Sequence, residues 1–287
     1  MDKSTNQATA LVLAGGGSFG AVQVGMLRAL VAHGIAPDLV IGSSVGAING
    51  AYFAGAPNAD GVARLEAIWR GLRRSEVFPI AWRGVLRLLA NGSGAVDSSG
   101  LRRILEQCLP YQTFERATVP LHVVATDLLD GGTVRLSSGP VVDAVLASCA
   151  IPAVFSPVRI GERYLIDGAI ASNTPVSVAV ELGARRVIVL PTGFACALES
   201  PPRGAIASAL HAVTLLIAHQ LVMEVERYRE QAEIITVPPL CPLASSPYDF
   251  SRAGELIERA ADQTQHWLER GGLTRQRIPS ALLAHSH

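Results

Sequence analysis

The hydrophobic and polar positions of the chain alternate between short apolar runs and longer segments with helical spacing. Apolar runs of strand length lie at residues 8–14, 38–41, 121–126, 133–137, 158–160, 164–166, 186–190 and 234–237. Helical spacing marks residues 19–33, 45–55, 64–73, 141–149, 175–182, 204–230 and 253–270. Because continuous apolar strands separated by helices are typical of buried parallel sheets, the pattern predicts a three-layer α/β/α fold with a mainly parallel central sheet.

This alternation continues along the chain without an internal repeat or a long linker. We therefore predict a single domain over residues 8–272, with tails at residues 1–7 and 273–287. The longest apolar stretch, residues 205–222, is interrupted by polar side chains, which favours a buried amphipathic helix over a membrane span. The polar N-terminal residues lack the apolar region of a signal peptide, so the predicted location is cytoplasmic.

Composition and charge argue against one class of function. Hydrophobic residues make up 49% of the 287 residues, which is enough for a large core. The 24 basic and 24 acidic side chains balance, so no global basic field attracts nucleic acid, and we predict no nucleic-acid partner. The four cysteines are widely spaced and have no neighbouring histidines, which predicts reduced thiols rather than a zinc site or a disulfide framework.

The pentapeptide Gly42-Ser43-Ser44-Val45-Gly46 has the pattern Gly-x-Ser-x-Gly and lies between a predicted strand and a predicted helix. A serine at such a turn projects its hydroxyl above the edge of the sheet, and flanking glycines allow the turn to be tight. The N-terminus of the following helix supplies free N–H groups and the positive end of the helix dipole. Ser44 is therefore a candidate nucleophile.

A glycine-rich loop follows the first strand. Gly15, Gly16, Gly17 and Gly20 satisfy the pattern G-x-G-x-x-G, which also occurs in dinucleotide-binding folds. That interpretation requires an acidic residue at the end of the second strand, whereas Asp38 lies at its start. We favour the alternative, an oxyanion hole, because consecutive glycines expose backbone N–H groups toward a developing negative charge.

A second serine fits the nucleophile pattern. Residues 16–20 also read Gly-x-Ser-x-Gly around Ser18, which would otherwise cap the following helix. Ser44 is the stronger candidate, because its turn has a separate glycine-rich loop available as an oxyanion hole.

A nucleophilic serine needs a base, and the histidines are poorly placed to provide one. They lie within predicted helices and strands or in the tail, at His33, His122, His211, His219, His266, His285 and His287. A histidine triad therefore remains an alternative, and an aspartate is the preferred base.

Asp167 is the candidate aspartate, because it directly follows an apolar strand and precedes Gly168, which permits close backbone approach. Asp130 has the same Asp-Gly-small pattern, but its position between two strands is explained by a hairpin turn. An aspartate in water has a pKa of about 3.9 and is a weak base. Asp167 would therefore have to be buried, which raises its basicity.

These three motifs, in this order, resemble the patatin-like phospholipase family. The family pattern is a glycine-rich oxyanion loop, then Gly-x-Ser-x-Gly, then Asp-Gly-Gly or Asp-Gly-Ala, as at residues 167–169. Residues 147–158, 173–175 and 249–251 add to the likeness.

The resemblance implies a Ser–Asp acyl hydrolase that acts on lipid or other acyl esters without a metal or cofactor. It implies catalytic roles for Ser44 and Asp167 and oxyanion donors at Gly15, Gly16, Gly17 and Val45. The motif glycines are Gly20, Gly42, Gly46 and Gly168.

One position departs from the family pattern. Phe19 stands where the family often has arginine or lysine. This keeps open a second hypothesis, a weakly active lipid-binding or regulatory protein on the same fold.

Residues 77–89 combine aromatic and aliphatic side chains with two arginines, as interfacial helices do. Two interpretations are open: these residues cover the core, or they make transient contact with a membrane surface. The second would make a cytoplasmic protein peripheral at the membrane. The sequence does not determine the oligomeric state.

Overall fold

The computed structural model describes residues 8–77, 97–152, 154–193, 205–243, 246, 249–274 and 278–282. The strands are β1 (Thr9–Leu13), β2 (Leu39–Ser43), β3 (Leu121–Asp127), β4 (Thr133–Leu136), β5 (Val158–Ile160), β6 (Arg163–Ile166), β7 (Arg186–Leu190) and β8 (Glu233–Thr236). The helices are α1 (Gly20–Ala32), α2 (Val45–Gly55), α3 (Ala59–Gly71), α4 (Arg74–Val77), α5 (Ser99–Cys108), α6 (Val141–Ser148), α7 (Ala169–Ser172), α8 (Val176–Glu181), α9 (Ala205–Tyr228) and α10 (Ala253–Glu269).

The strands form one sheet in the order β5-β6-β3-β2-β1-β7-β8, with β4 also paired to β3. From β3 to β8 along this order, each strand pairs with its neighbour in parallel. β4 and β6 pair with β3 in antiparallel register, and β5 pairs antiparallel with β6. The predicted mainly parallel sheet is confirmed, and it has an antiparallel edge beyond β3.

Helices cover both faces of the sheet, because alternate residues of each strand face opposite sides. On β1, Leu11 and Leu13 belong to a core shared with α1, α2, α3 and α10. Ala10 and Val12 belong to a second core, shared with α8 and α9. All four side chains are at most 1% exposed. The three-layer α/β/α arrangement predicted from the apolar runs is therefore confirmed.

Two helices begin at different residues from those predicted, for local reasons. α3 begins at Ala59, not at residue 64, because Asn58 caps it: its Oδ1 accepts a hydrogen bond from the Gly61 N–H at 2.9 Å. α1 begins at Gly20, one residue later than predicted, because Gly17–Phe19 first form a 3-10 turn.

α5 is a helix that was not among those predicted from the apolar spacing. Its buried residues are Leu101 and Leu105, a single pair four residues apart among charged neighbours. Leu101, Ile104, Leu105 and Cys108 nevertheless have the i, i+3, i+4, i+7 spacing of a helical face, so the sequence carried a signal for α5 that the prediction did not use. Packing of Leu101 and Leu105 against the rest of the core makes α5 one wall of the cavity described below.

Of the predicted surface segment at residues 77–89, only Val77 lies within the described residues, and it is buried. The interfacial role of the other residues falls outside the part of the chain that the structure describes. Among the described helices, none is both long enough and apolar enough to cross a bilayer. Residues 205–222 lie within α9, as the interrupted apolar pattern predicted.

Candidate active site

Ser44 occupies a strained turn between β2 and α2. Its backbone has φ 53° and ψ −127°, and it is the only non-glycine residue with positive φ in the described part of the chain. Such a conformation costs on the order of 1–3 kcal/mol and persists only where the surroundings impose it. A Cβ on Gly42 would lie 2.6 Å from the Gly46 carbonyl carbon, so the turn requires the glycine.

The backbone of this turn is anchored to β3 through a side chain that sequence reasoning did not assign. The Ser44 N–H donates to Ser148 Oγ at 2.8 Å, and the Ser148 hydroxyl donates to the Val124 carbonyl at 2.6 Å. Ser148 is fully buried. Ser148 lies within residues 147–158, which resemble the family pattern, but nothing in that segment indicated a hydrogen bond to Ser44.

Ser44 and Asp167 meet, although 123 positions separate them in the sequence. Ser44 Oγ donates a hydrogen bond to Asp167 Oδ2 at 2.7 Å. The other carboxylate oxygen, Oδ1, accepts from the Ala169 N–H at 2.9 Å. The backbone of Asp167 is held as well, because its carbonyl accepts from Thr126 Oγ1 at 2.8 Å. Both oxygens of the carboxylate are therefore oriented, with one directed at the serine.

Burial makes Asp167 a stronger base than an ordinary aspartate. The residue is 3% exposed, and desolvation raises the pKa of its carboxyl from 3.8 to about 6. The hydrogen bonds from Ala169 and Ser44 stabilise the ionised form and oppose part of this rise in pKa. At neutral pH the carboxylate is therefore ionised, yet much closer to its protonated form than it would be in water.

The glycine-rich loop lies directly against Ser44. A Cβ on Gly15 would be 3.0 Å from Ser44 Cβ, so the loop could not approach as closely with a larger residue. The Gly15 N–H already donates to the Asn173 carbonyl at 3.2 Å, so Gly15 is corrected from an oxyanion donor to a spacer. In the described part of the chain, the N–H groups of Gly16, Gly17 and Val45 donate to no acceptor.

The remaining motif glycines permit close packing around the dyad. A Cβ on Gly46 would lie 2.6 Å from the Leu13 carbonyl carbon, and one on Gly168 would lie 2.6 Å from Ser43 Oγ. A Cβ on Gly20 would lie 2.8 Å from the ring of Trp69. Each glycine therefore brings two segments of the site closer than any side chain would allow.

The competing sequence candidates have other partners. Ser18 is buried and its hydroxyl donates to the Ser246 carbonyl at 3.2 Å; the helix cap expected for it is absent. Asp130 Oδ1 accepts from the Gly132 N–H at 2.7 Å, which confirms its place in the hairpin turn. Asp38 precedes β2, at the edge opposite Ser44, and accepts from the Thr9 N–H at 2.7 Å.

No histidine among the described residues is bonded to Ser44, whose hydroxyl donates to Asp167. His33 ends α1, His219 is exposed on α9, and His266 shares a hydrogen bond with the Asp262 carbonyl at 2.7 Å. His122 lies in β3, where burial lowers the pKa of its imidazole. The described geometry therefore favours the aspartate over a histidine triad.

Phe19 lies inside the hydrophobic core and is 0% exposed. It packs with residues of α1, α2 and α3 rather than entering the cavity at Ser44. The position at which the family often has a basic residue therefore serves packing in this chain. The backbone N–H groups of the neighbouring loop are unaffected by that change.

An apolar cavity opens beside Ser44. Its volume is about 80 Å³. Gly17, Ser44 and Val45 line it together with residues of α2, α3 and α5. The apolar lining includes Ile48, Leu65, Ile68, Trp69, Leu72, Leu101, Ile104, Leu105, Phe155 and Phe250.

Comparison with known proteins identifies the family. The model of the family "Patatin-like phospholipase" matches residues 11–180, which is more than half of the chain. The chain therefore belongs to the patatin-like phospholipase family, as its three motifs indicated.

Similar proteins agree with this assignment. The chain is 30% identical over 191 residues to a patatin-like phospholipase domain-containing protein of Caenorhabditis elegans, an alignment of 66% of this chain and 14% of that protein. It is 30% identical over 177 residues to an uncharacterized NTE family protein of Mycobacterium tuberculosis, covering 61% of this chain and 46% of the relative. The chain thus spans less than half the length of either relative.

One solved structure supports the fold. The structure of human GIVD cytosolic phospholipase A2 in complex with methyl gamma-linolenyl fluorophosphonate superimposes with a TM-score of 0.50 and 12% sequence identity. The superposition covers 96% of this chain and 61% of the human chain. At this level of identity the similarity concerns the fold alone.

Proposed function

We propose that this protein is a serine acyl hydrolase of the esterase or phospholipase A type, which cleaves fatty-acyl esters of lipids through the dyad Ser44 and Asp167. The observation that carries the proposal is the 2.7 Å hydrogen bond from Ser44 Oγ to Asp167 Oδ2, at a turn in which Ser44 has a positive φ and lines the apolar cavity. Membership of the patatin-like phospholipase family supports lipid-ester chemistry.

In the acylation step, Ser44 Oγ attacks the ester carbonyl carbon while its proton passes to Asp167 Oδ2. The carbonyl oxygen becomes an oxyanion, which the N–H groups of Gly16, Gly17 and Val45 stabilise. When the C–O bond of the ester breaks, Asp167 returns the proton to the departing alkoxide, and an acyl-serine remains. Electrostatic stabilisation of this kind is commonly the largest contribution to acyl transfer, so these backbone donors are as important as the base.

In the deacylation step, water attacks the acyl-serine and gives its proton to Asp167. Collapse of the second oxyanion breaks the bond to Ser44 Oγ, which recovers the proton from Asp167. The products are a fatty acid and the original enzyme, so protons and oxygens balance over the cycle. A pKa of about 6 suits both directions of this transfer, because a base near the working pH accepts and releases a proton readily.

The cavity supports an acyl chain as the part of the substrate that is bound. Apolar side chains of α2, α3 and α5 line it together with Ser44. Burying an alkyl chain there is favourable by about 0.8 kcal/mol for each CH₂ group removed from water. The substrate therefore places its acyl chain in the cavity and its alcohol portion toward solvent.

Covalent labelling tests the nucleophile. A fluorophosphonate probe should modify the wild type on the peptide that contains Ser44, as read by mass spectrometry, and the Ser44→Ala variant should remain unlabelled. Asp167→Asn should lower hydrolysis of p-nitrophenyl esters by at least about 10³-fold, because loss of a general base and an activated nucleophile both act on this step. Ser18→Ala is the matched control and should keep its label on Ser44.

Two results would contradict the proposal in different ways. Full hydrolysis by Ser44→Ala would place the nucleophile elsewhere. An unlabelled wild type that hydrolyses no acyl ester would favour the alternative, a lipid-binding or regulatory protein on this fold.

A further inference from the structure

Two fully buried amide side chains lie behind the glycine-rich loop and take no part in the proposed chemistry. Gln23 of α1 and Asn49 of α2 are both 0% exposed. Asn49 Nδ2 donates to Gln23 Oε1 at 2.9 Å, which joins the two helices. Burying such groups without partners is costly, so their hydrogen bonds indicate what they hold in place.

All four N–H groups of this pair donate a hydrogen bond, and two of them bind the ends of the loop. Gln23 Nε2 donates to the Ala14 carbonyl at 2.7 Å and to the Leu190 carbonyl at 2.9 Å. Asn49 Nδ2 also donates to the Gly20 carbonyl at 3.0 Å. Ala14 directly precedes Gly15 and Gly20 closes the motif, so the pair fixes the loop at both ends.

Trp69 connects this pair to the wall of the cavity. Its indole N–H donates to Asn49 Oδ1 at 2.8 Å, while its ring lines the cavity and stacks on Phe250 at 6.1 Å. The same ring lies against Gly20, where a Cβ would be 2.8 Å away. One side chain therefore touches the cavity and the end of the loop at once.

These contacts also fix the orientation of both amides. If the oxygen and nitrogen of Asn49 were exchanged, its NH₂ group would face the indole N–H and its oxygen would face the Gly20 carbonyl. If those of Gln23 were exchanged, two carbonyls would face its oxygen. The hydrogen-bonded network has one consistent arrangement, which suits a rigid support.

We propose that Gln23 and Asn49 are positioning residues for the oxyanion loop, and that Trp69 couples filling of the apolar cavity to the position of that loop. Esters whose acyl chain fills the cavity are then turned over with a higher kcat than short-chain esters, because a chain that fills the cavity lies against Trp69, which lines it. This inference rests on the proposed function, since it concerns the same site.

The test compares kcat and KM for p-nitrophenyl acetate and p-nitrophenyl decanoate. In the wild type, kcat should be higher for the decanoate. Gln23→Met removes both hydrogen bonds to backbone carbonyls at nearly constant volume, and kcat should fall by about 10–100-fold for both esters while KM changes little. Trp69→Phe keeps an aromatic wall but removes the N–H, and the ratio of the two kcat values should fall toward one.

Gln263→Met is the matched control. Gln263 Nε2 also donates to two backbone carbonyls, those of Pro238 at 2.9 Å and Pro239 at 3.0 Å, and neither residue belongs to the loop or flanks it in sequence. Its loss should lower the Tm without changing either kcat. The comparison separates a general loss of stability from a specific loss of loop position.

The possible outcomes separate this inference from the proposed function. If the wild type hydrolyses both esters and Gln23→Met keeps its kcat while its Tm falls, the amide pair is only structural and the inference is wrong. If Gln23→Met does not fold, Trp69→Phe decides: an unchanged kcat ratio overturns the coupling. If the wild type neither hydrolyses an ester nor labels at Ser44, the proposed function itself fails.

Discussion

At the scale of single residues, the site contains a backbone conformation and a buried charge that are each unfavourable on their own. Ser44 adopts a positive φ that a side chain disfavours, and Asp167 buries a carboxylate without an ion-pair partner among the described residues. Each arrangement lowers stability, and each persists because distant residues impose it. Such conflicts between local preference and tertiary structure are expected at functional sites.

Asp167→Asn should stabilise the protein at pH 8 and inactivate it. The folded pKa of the carboxyl is about 6, above its ordinary value of 3.8, so burial of the ionised form costs stability above pH 6. That cost is at most about 3 kcal/mol; it shrinks as the pH falls from 6 toward 4, because the folded state then binds the proton, and it is gone below the ordinary value of 3.8. Urea unfolding at pH 8 and pH 4 measures the difference between the variant and the wild type.

Asp130→Asn is the control for that measurement, because Asp130 lies exposed in the hairpin turn and an asparagine can keep the bond from the Gly132 N–H. It should change stability little at either pH. A loss of stability in Asp167→Asn at pH 8 would mean that the hydrogen bonds of the carboxylate outweigh its desolvation.

At the scale of the elements, close helix packing depends on small residues at particular crossings. α1 packs against α10 at Gly25, where a Cβ would lie 2.8 Å from Ala260 Cβ and from the Ala261 nitrogen. Backbone atoms cannot move aside as the end of a flexible side chain can. This crossing positions α1, which carries Gln23 behind the oxyanion loop.

Gly25→Ala should therefore destabilise the protein by about 1–3 kcal/mol, the usual cost of overpacking. Helix propensity alone predicts the opposite sign, because alanine favours a helix over glycine by about 1 kcal/mol. Gly71→Ala is the matched control, since nothing lies within 4 Å of a Cβ at this exposed end of α3. Thermal unfolding should give a lower Tm for the first variant and an equal or higher Tm for the second.

At the scale of the whole molecule, the sheet brings the site together. Ser44 follows β2 and the glycine-rich loop follows β1. The two lie close together because these parallel strands end at the same edge of the sheet. β6 runs the other way and pairs with β3 so that Ile166 lies beside Thr126, which brings Asp167 to that edge. The antiparallel pairing of β6 with β3 therefore brings Asp167 close to Ser44.

The pH dependence of hydrolysis should reflect the burial of Asp167 in the tertiary structure. Because Asp167 is the base in the proposed mechanism, kcat/KM should fall as the pH drops below about 6 and should be level above it. An unburied aspartate would move the midpoint to about 4. A midpoint near 4 would contradict the burial of Asp167, and the profile of the fluorophosphonate labelling rate should show the same midpoint as hydrolysis.

Sequence patterns predicted most of the fold, because periodicity and glycine turns are local signals. Apolar runs located the strands and motif order identified Ser44 and Asp167 as partners. The exceptions are informative: α5 was missed although Leu101, Ile104, Leu105 and Cys108 have helical spacing, and the start of α3 depended on the cap at Asn58. The domain limits at residues 8–272 remain a prediction.

The sequence by itself determined the alternation of strands and helices and the residues that can perform acyl transfer, since both depend on neighbours along the chain. Tertiary structure decided that the Gly15 N–H is occupied, that Asp167 has a pKa of about 6, and that Gln23 supports the loop. Hydrogen-bond partners and desolvation arise from atoms that are distant in sequence and close in space. The sequence therefore identifies the chemical groups of the site. Packing determines which N–H groups are free to bind an oxyanion and how basic the carboxylate is.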